Sequence, residues 1–113
     1  MSSMKFRQVS AASTNLVEVK NYGCNLTGAL IINTNAAARF VKLYDATDIP
    51  VVGTTVPALT IEVPASSQVN LMMPAQGGVN FGHSMWMATT VNAADSDATA
   101  VGAGDLITQL FVE

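Results

Sequence analysis

The sequence predicts an all-β protein: an antiparallel β-sandwich of jelly-roll type with about eight short strands. Apolar and polar residues alternate in short runs, as half-buried strands require. Pro, Gly, Asn and Ser clusters separate these runs. The 113 residues suffice for one domain, which we place at 13–113, after an N-terminal arm or edge strand at 1–12.

The clearest strand pair lies at 58–63 and 68–73. In the first run Leu59, Ile61 and Val63 point to one side while Thr60 and Glu62 point to the other. A proline ends each run, and only a short polar turn separates them. This arrangement predicts an antiparallel hairpin.

Six further runs complete the predicted set. They are 4–9, 16–20, 24–33, 39–44, 84–91 and 105–112. Gly28 inside the third run indicates a bulge or a close backbone approach. The stretches 45–57 and 92–104 read as loops long enough to cross between two sheets.

Residues 34–45 allow two interpretations. Three alanines followed by Phe40, Leu43 and Tyr44 at spacings of three and four could open a helix capped by Asn33 or Thr34. The run 39–44 is nevertheless rich in β-branched and aromatic residues, which favours a strand.

The composition indicates a chain that associates with other protein subunits. Half of the residues are hydrophobic, 12% are charged, and the mean hydropathy is +0.36. The longest apolar runs, such as 29–32, are far below the roughly 18 residues of a membrane span. The start of the chain also lacks the apolar region of a signal peptide, which predicts retention in the cytoplasm. We therefore expect other protein subunits, and no membrane, to cover the apolar surface.

Neither charge nor motifs indicate nucleic-acid binding or catalysis. The formal net charge is −3, and the five basic residues are scattered, which argues against direct nucleic-acid contact. His83 is the only histidine, so one chain cannot build a multi-histidine metal site, and a structural hydrogen bond is its favoured role. No nucleophile elbow, phosphate loop or dinucleotide motif occurs. The sequence predicts no enzyme activity, no catalytic residue and no cofactor.

An acidic loop and a single cysteine are the two features that bear on metal or thiol chemistry. Asp95 and Asp97 alternate in a loop and could present oxygens to Ca²⁺, but the Gly and Glu of an EF-hand loop are missing. A solvated turn is the favoured interpretation. Cys24 is alone and is expected to be a small core residue.

Methionine and aromatic residues supply the candidate interface. Such soft side chains serve either as a sticky surface or as core filler, and both uses stay open here. The candidates are Met4, Phe6, Met72, Met73, Met85, Trp86 and Met87.

The order of features from Ala38 to Val112 resembles that of small virion structural proteins of tailed bacteriophages. The segments 38–45, 50–54, 57–67 and 103–105 carry the resemblance, which covers about two-thirds of the chain. It implies a jelly-roll capsid cement or decoration subunit, assembled as a homotrimer and bound to the major capsid protein in the virion. A tail, fibre or baseplate component, possibly carbohydrate-binding, is the alternative. No catalytic residues come with the resemblance.

Overall fold

The computed structural model describes residues 4–73 and 77–113, which form nine β-strands and no helix. All strand pairings are antiparallel, so the all-β prediction is confirmed. The strands are β1 (Met4–Val9), β2 (Val17–Lys20), β3 (Cys24–Asn33), β4 (Arg39–Asp45), β5 (Leu59–Val63), β6 (Gln68–Met72), β7 (Val79–Phe81), β8 (Met85–Thr90) and β9 (Leu106–Val112). The unpredicted strand is β7, which is too short to show alternation in the sequence.

The strand order is that of a jelly roll. Sheet A has the order β1-β9-β3-β6, with β7 also paired to β3, and sheet B has the order β2-β8-β4-β5. The first strand pairs with the last, β2 with β8, β3 with β6, and β4 with β5. The chain is thus a long antiparallel ribbon whose successive pairs fall alternately into two sheets.

The core lies between the two sheets and is aliphatic. The inward positions of neighbouring strands alternate with outward ones, so each strand contributes every second residue. Fully buried members include Leu26, Ile31, Leu43, Met87 and Leu110. Burial of such side chains supplies the main driving force for folding at this size.

Gly28 lies at a bulge in β3. The register with β9 shifts between Leu26 and Gly28. A Cβ at position 28 would lie 3.1 Å from the Leu71 carbonyl oxygen and 3.1 Å from Cδ2 of Phe111. The prediction of a bulge with close approach is confirmed, and the Phe111 ring contacts the backbone of β3 there.

The ambiguous stretch 34–45 contains no helix. Residues 39–45 form β4, as the β-branched and aromatic residues favoured. Asn33 donates side-chain hydrogen bonds to the carbonyl oxygens of Ala37, Val63 and Pro64, and its Oδ1 accepts from the Asn35 amide. These bonds stabilise a turn in which the helical pattern of backbone bonds cannot form.

Asp105 ties the loops together at one end of the sandwich. Its carboxylate accepts from Arg39 Nε at 3.1 Å, from Asn35 Nδ2 and from the Gly102 amide. Burial of Asp105 acts to raise its pKa, but these bonds outweigh burial and lower it. The starts of β4 and β9, which lie in different sheets, are thereby held side by side.

The predicted N-terminal arm is part of the sandwich over its described length. Residues 4–9 form β1, an edge strand of sheet A that pairs with β9 along its whole length. Residues 1–3 of that predicted segment, and residues 74–76 between β6 and β7, lie outside the described residues.

Candidate interaction face on sheet A

The outer face of sheet A is built from every second residue of four strands. Alternate residues of β9, β3, β6 and β1 pack into the core, so the intervening ones point away from it. We call this set the open face. It consists of Lys5, Arg7, Val9, Gly28, Leu30, Ile32, Gln68, Asn70, Met72, Ile107, Gln109 and Phe111.

The strand registers place these residues in three rows across the sheet. Lys5 lies opposite Phe111, which lies opposite Gly28, which lies opposite Met72. The rows are Lys5-Phe111-Gly28-Met72, Arg7-Gln109-Leu30-Asn70 and Val9-Ile107-Ile32-Gln68. Neighbours within a row are close enough to form one continuous surface.

The open face has an apolar centre between two different borders. Half of its members are large apolar residues, and two of these are widely exposed: Met72 at 79% and Val9 at 49%. The β1 border carries the basic side chains of Lys5 and Arg7. The β6 border carries the neutral amides of Gln68 and Asn70. An apolar partner surface with acidic groups along one side would complement this pattern.

The outer face of sheet B, in contrast, is covered by the chain itself. Lys42, Tyr44, Ala88 and Thr90 occupy outward positions there and are fully buried. The Lys42 ammonium donates to the carbonyl oxygens of Ala94 at 2.6 Å and Asp97 at 3.1 Å. Burial lowers the pKa of Lys42. The loop 91–105 therefore lies over sheet B and satisfies the cation beneath it.

Asp97 holds that covering loop in shape. Its carboxylate accepts hydrogen bonds from the hydroxyl and amide of Thr99 and from the side chain and amide of Asn92. The bond from the Thr99 hydroxyl is the main reason that the pKa of Asp97 falls to about 2. These bonds use the oxygens of Asp97, one of the two carboxylates considered for Ca²⁺; Asp95 is exposed in the same loop. The described parts of the chain contain no group of three or more His, Cys, Asp or Glu that could hold a metal ion.

The second long loop, 46–58, packs against the first. A Cβ on Gly53, whose φ is +91°, would lie 3.1 Å from the Ser96 carbonyl oxygen. Only a residue without a side chain permits this contact at that φ. The loop joins β4 to β5, which are neighbours in sheet B, so the prediction that it could cross between sheets is wrong. The loop 91–105 does cross, from β8 to β9.

The structure separates the residues predicted to form an interface. Met72 alone of the seven lies on the open face. Met4, Phe6 and Met73 are half-buried and pack against the core. Trp86 is half-buried on the outer side of sheet B, opposite Tyr44 of β4.

Met85 and Met87 require a correction. Both are fully buried members of the core. Their side chains point to the inner side of β8, where the two sheets meet, so they cannot touch another chain in the folded subunit. The core-filler role of methionine, which the sequence left open, applies to this pair.

Five apolar members of the open face are not among the residues predicted to form an interface. They are Val9, Leu30, Ile32, Ile107 and Phe111. A signal was present, because 29–32 and 110–112 are apolar at consecutive positions instead of alternating. A strand that is apolar on both sides is expected to be covered on both sides.

The remaining chemical candidates occupy structural positions. His83 donates its backbone amide to Asp45 Oδ1 at 2.9 Å, and its Nδ1 lies 3.3 Å from the same oxygen. Cys24 is buried in the core, and this burial raises the pKa of its thiol. The contacts of the Asp45 carboxylate with Gly82 and His83 hold the turn after β7 against the end of β4.

No family model, curated protein or solved structure matches this chain. Within 4–73 and 77–113, no helix is long and apolar enough to cross a membrane. Function must therefore be argued from the open face and the fold.

Proposed function

We propose that this protein is a noncatalytic structural subunit of a bacteriophage virion, a capsid cement or decoration protein. It attaches through the open face to the major capsid protein and holds neighbouring capsomers together. One observation carries the proposal: the chain covers the outer face of sheet B with its own loops, whereas no described loop covers the outer face of sheet A, half of whose residues are large and apolar.

The chemistry of the open face suits attachment without catalysis. Contiguous exposed apolar surface is uncommon on monomeric proteins and marks contact sites. Burying it stabilises a complex by roughly 25 cal/mol per Å², less the ordering costs of association. A subunit repeated over a particle adds many such contacts, so that modest individual affinities give firm attachment.

Self-association and location complete the proposal. The subunit forms a homotrimer, is made in the host cytoplasm and resides in the virion. The resemblance to virion proteins and the high mean hydropathy of +0.36 support this part. Electron microscopy of particles carrying the protein tests the location: density at capsomer junctions is expected, whereas density on the tail, fibre or baseplate would favour the alternative location.

Leu30→Lys tests the role of the open face. Leu30 lies in the middle row, so a lysine there places an unpaired charge in the apolar centre of the contact. We expect at least a tenfold loss of binding to particles that lack the protein, because a buried unpaired charge costs several kcal/mol. Binding is measured by co-sedimentation with the particles.

Thr47→Lys is the matched control. It adds the same charge at an exposed position of the loop 46–58, away from the open face. This variant should bind as the wild type does. Full binding by a correctly folded Leu30→Lys variant would refute attachment through sheet A.

A further inference from the structure

Within the described residues the sandwich has five edge strands, of which β7 is only three residues long. Strand β6 differs from the three others, β1, β2 and β5. Proteins protect free edges with charges, prolines or bulges, because an unprotected edge pairs with other strands. Strand β1 carries Lys5 and Arg7. Strand β2 carries Glu18, Lys20 and a register shift. Strand β5 carries Glu62 and lies between Pro57 and Pro64. Strand β6, with the sequence QVNLM, has no charge, no proline and no register shift.

The hydrogen bonds to β3 show which groups of β6 point outward. The Asn33 amide donates to the Ser67 carbonyl oxygen, and the Met73 amide donates to the Thr27 carbonyl oxygen. In an antiparallel ladder bonded pairs alternate, so Val69 and Leu71 also bond to β3. The N–H and C=O groups of Gln68, Asn70 and Met72 point away from β3, where no described strand pairs with them.

The sequence of β6 is complementary to itself. In an antiparallel pair centred on Asn70, Asn70 faces its own copy and Gln68 faces Met72 of the other chain. These are the residues with free backbone groups, so each pair can exchange two hydrogen bonds. On the inner side Val69 faces Leu71, an apolar pair. Antiparallel pairing of β1 with β1 of another copy would place Lys5 opposite Arg7, or Arg7 opposite Arg7, and these like charges repel.

We propose that β6 binds β6 of a second copy of this chain across a two-fold axis. The contact joins two copies of sheet A into one continuous sheet, so that their open faces form a single larger surface. Met72, which is 79% exposed in the single chain, then lies beside Gln68 of the other copy. The two-fold contact is separate from the threefold association proposed above and does not depend on it.

Mass measurement on the full-length protein tests this pairing. Asn70→Lys places two ammonium groups opposite each other at the axis without touching the core. We expect the mass from sedimentation equilibrium to halve, from dimer to monomer, or from hexamer to trimer if the threefold contact also forms. Asn70→Glu should behave alike, and a mixture of the two variants should regain the wild-type mass, because opposite charges then meet. Thr47→Lys, at an exposed position of the loop 46–58, should keep the wild-type mass.

Amide hydrogen exchange locates the contact. In concentrated wild-type protein the amides of Gln68, Asn70 and Met72 should exchange at least tenfold more slowly than in Asn70→Lys. The amides of Val69 and Leu71 should be protected in both, since they bond to β3. An unchanged mass in Asn70→Lys, or equal exchange at Asn70, would overturn the pairing.

The failure of this inference is distinguishable from failure of the proposed function. If the wild-type protein is a trimer and Asn70→Lys is a trimer too, β6 pairing is overturned, but the result agrees with the proposed structural subunit. Protection of the three amides on particles alone would assign the edge to a strand of the capsid protein and overturn pairing between copies.

Discussion

The outer faces of the two sheets are treated in opposite ways by the same chain. On sheet B a lysine and a tyrosine are fully buried beneath the loop 91–105. On sheet A leucine, isoleucine and phenylalanine are only partly buried, and Met72 is 79% exposed. Residue type alone therefore does not decide burial here. Coverage depends on which loops are long enough to fold back, and both long loops lie over sheet B.

Lys42 can be buried because the covering loop 91–105 supplies its hydrogen-bond acceptors. Carbonyl oxygens of Ala94 and Asp97 accept the protons of the Lys42 ammonium, which removes most of the cost of burial. The apolar residues of sheet A need no hydrogen-bonding partner, but they lose free energy while they contact water. The outer face of sheet B is covered by the chain, although the Tyr44 hydroxyl and the Trp86 indole N–H there have no hydrogen-bond partner among the described residues. The outer face of sheet A gains stability from contact with another molecule.

The largest expected effect comes from truncating a side chain on each face. Tyr44→Ala should lower the free energy of unfolding by about 3–5 kcal/mol, because it opens a cavity under the covering loops. Met72→Ala should change it by no more than about 0.5 kcal/mol, because Met72 is mostly exposed. Chemical denaturation of dilute protein measures both values. Equal losses would mean that the two faces do not differ in coverage.

Much of the fold was predictable because local patterns agree with the final topology. In β5 and β6 apolar and polar residues alternate cleanly, and a proline and a polar turn bound each strand. Both strands lie close to the predicted positions. The three residues of β7 carry no periodicity, so only their pairing with β3 defines them. The burial of Lys42 could not be predicted, because it depends on loop carbonyls more than 50 positions away.

The interaction face was less predictable than the fold. Methionine is compatible with both an interface and a core position, and Met85 and Met87 lie in the core. The useful marker was loss of alternation in β3, where Leu30 and Ile32 join Ala29 and Ile31 in one apolar run. That marker shows that both sides of a strand need cover. It does not show whether the cover comes from the same chain, since this depends on the paths of loops.

A smaller effect is expected from removing the buried cation of sheet B. Lys42→Met keeps the aliphatic stem but leaves the carbonyl oxygens of Ala94 and Asp97 without their donor. We expect a loss of about 1–3 kcal/mol in the free energy of unfolding, with earlier proteolytic cleavage in the loop 91–105. Lys5→Met on the open face is the control and should change neither value. Unaltered cleavage in Lys42→Met would indicate that the loop is held by other contacts.

The smallest effect is a local response of the covering loop to acid. The pKa of Asp97 in the folded protein is about 2, below the ordinary value of 3.8. A carboxyl whose folded pKa is depressed contributes stability that is fully present above the unfolded value and is lost as the pH falls through the folded value. The loop should therefore keep its form at pH 5 and loosen as the pH falls from about 4 toward 2. The amide resonances of Asn92 and Thr99, whose N–H groups donate to Asp97, report this change by NMR.

Asp97→Asn separates this response from general acid unfolding. Asp45 and Asp105 also have lowered pKa values, so the whole sandwich loses stability in the same direction as the pH falls. The amide side chain of the variant does not titrate, so the midpoint near 2 at Asn92 and Thr99 should disappear while global acid unfolding remains. A wild-type midpoint near 3.8 would show that the Thr99 and Asn92 bonds do not hold the loop, and that the cover of sheet B depends on Lys42 and packing alone.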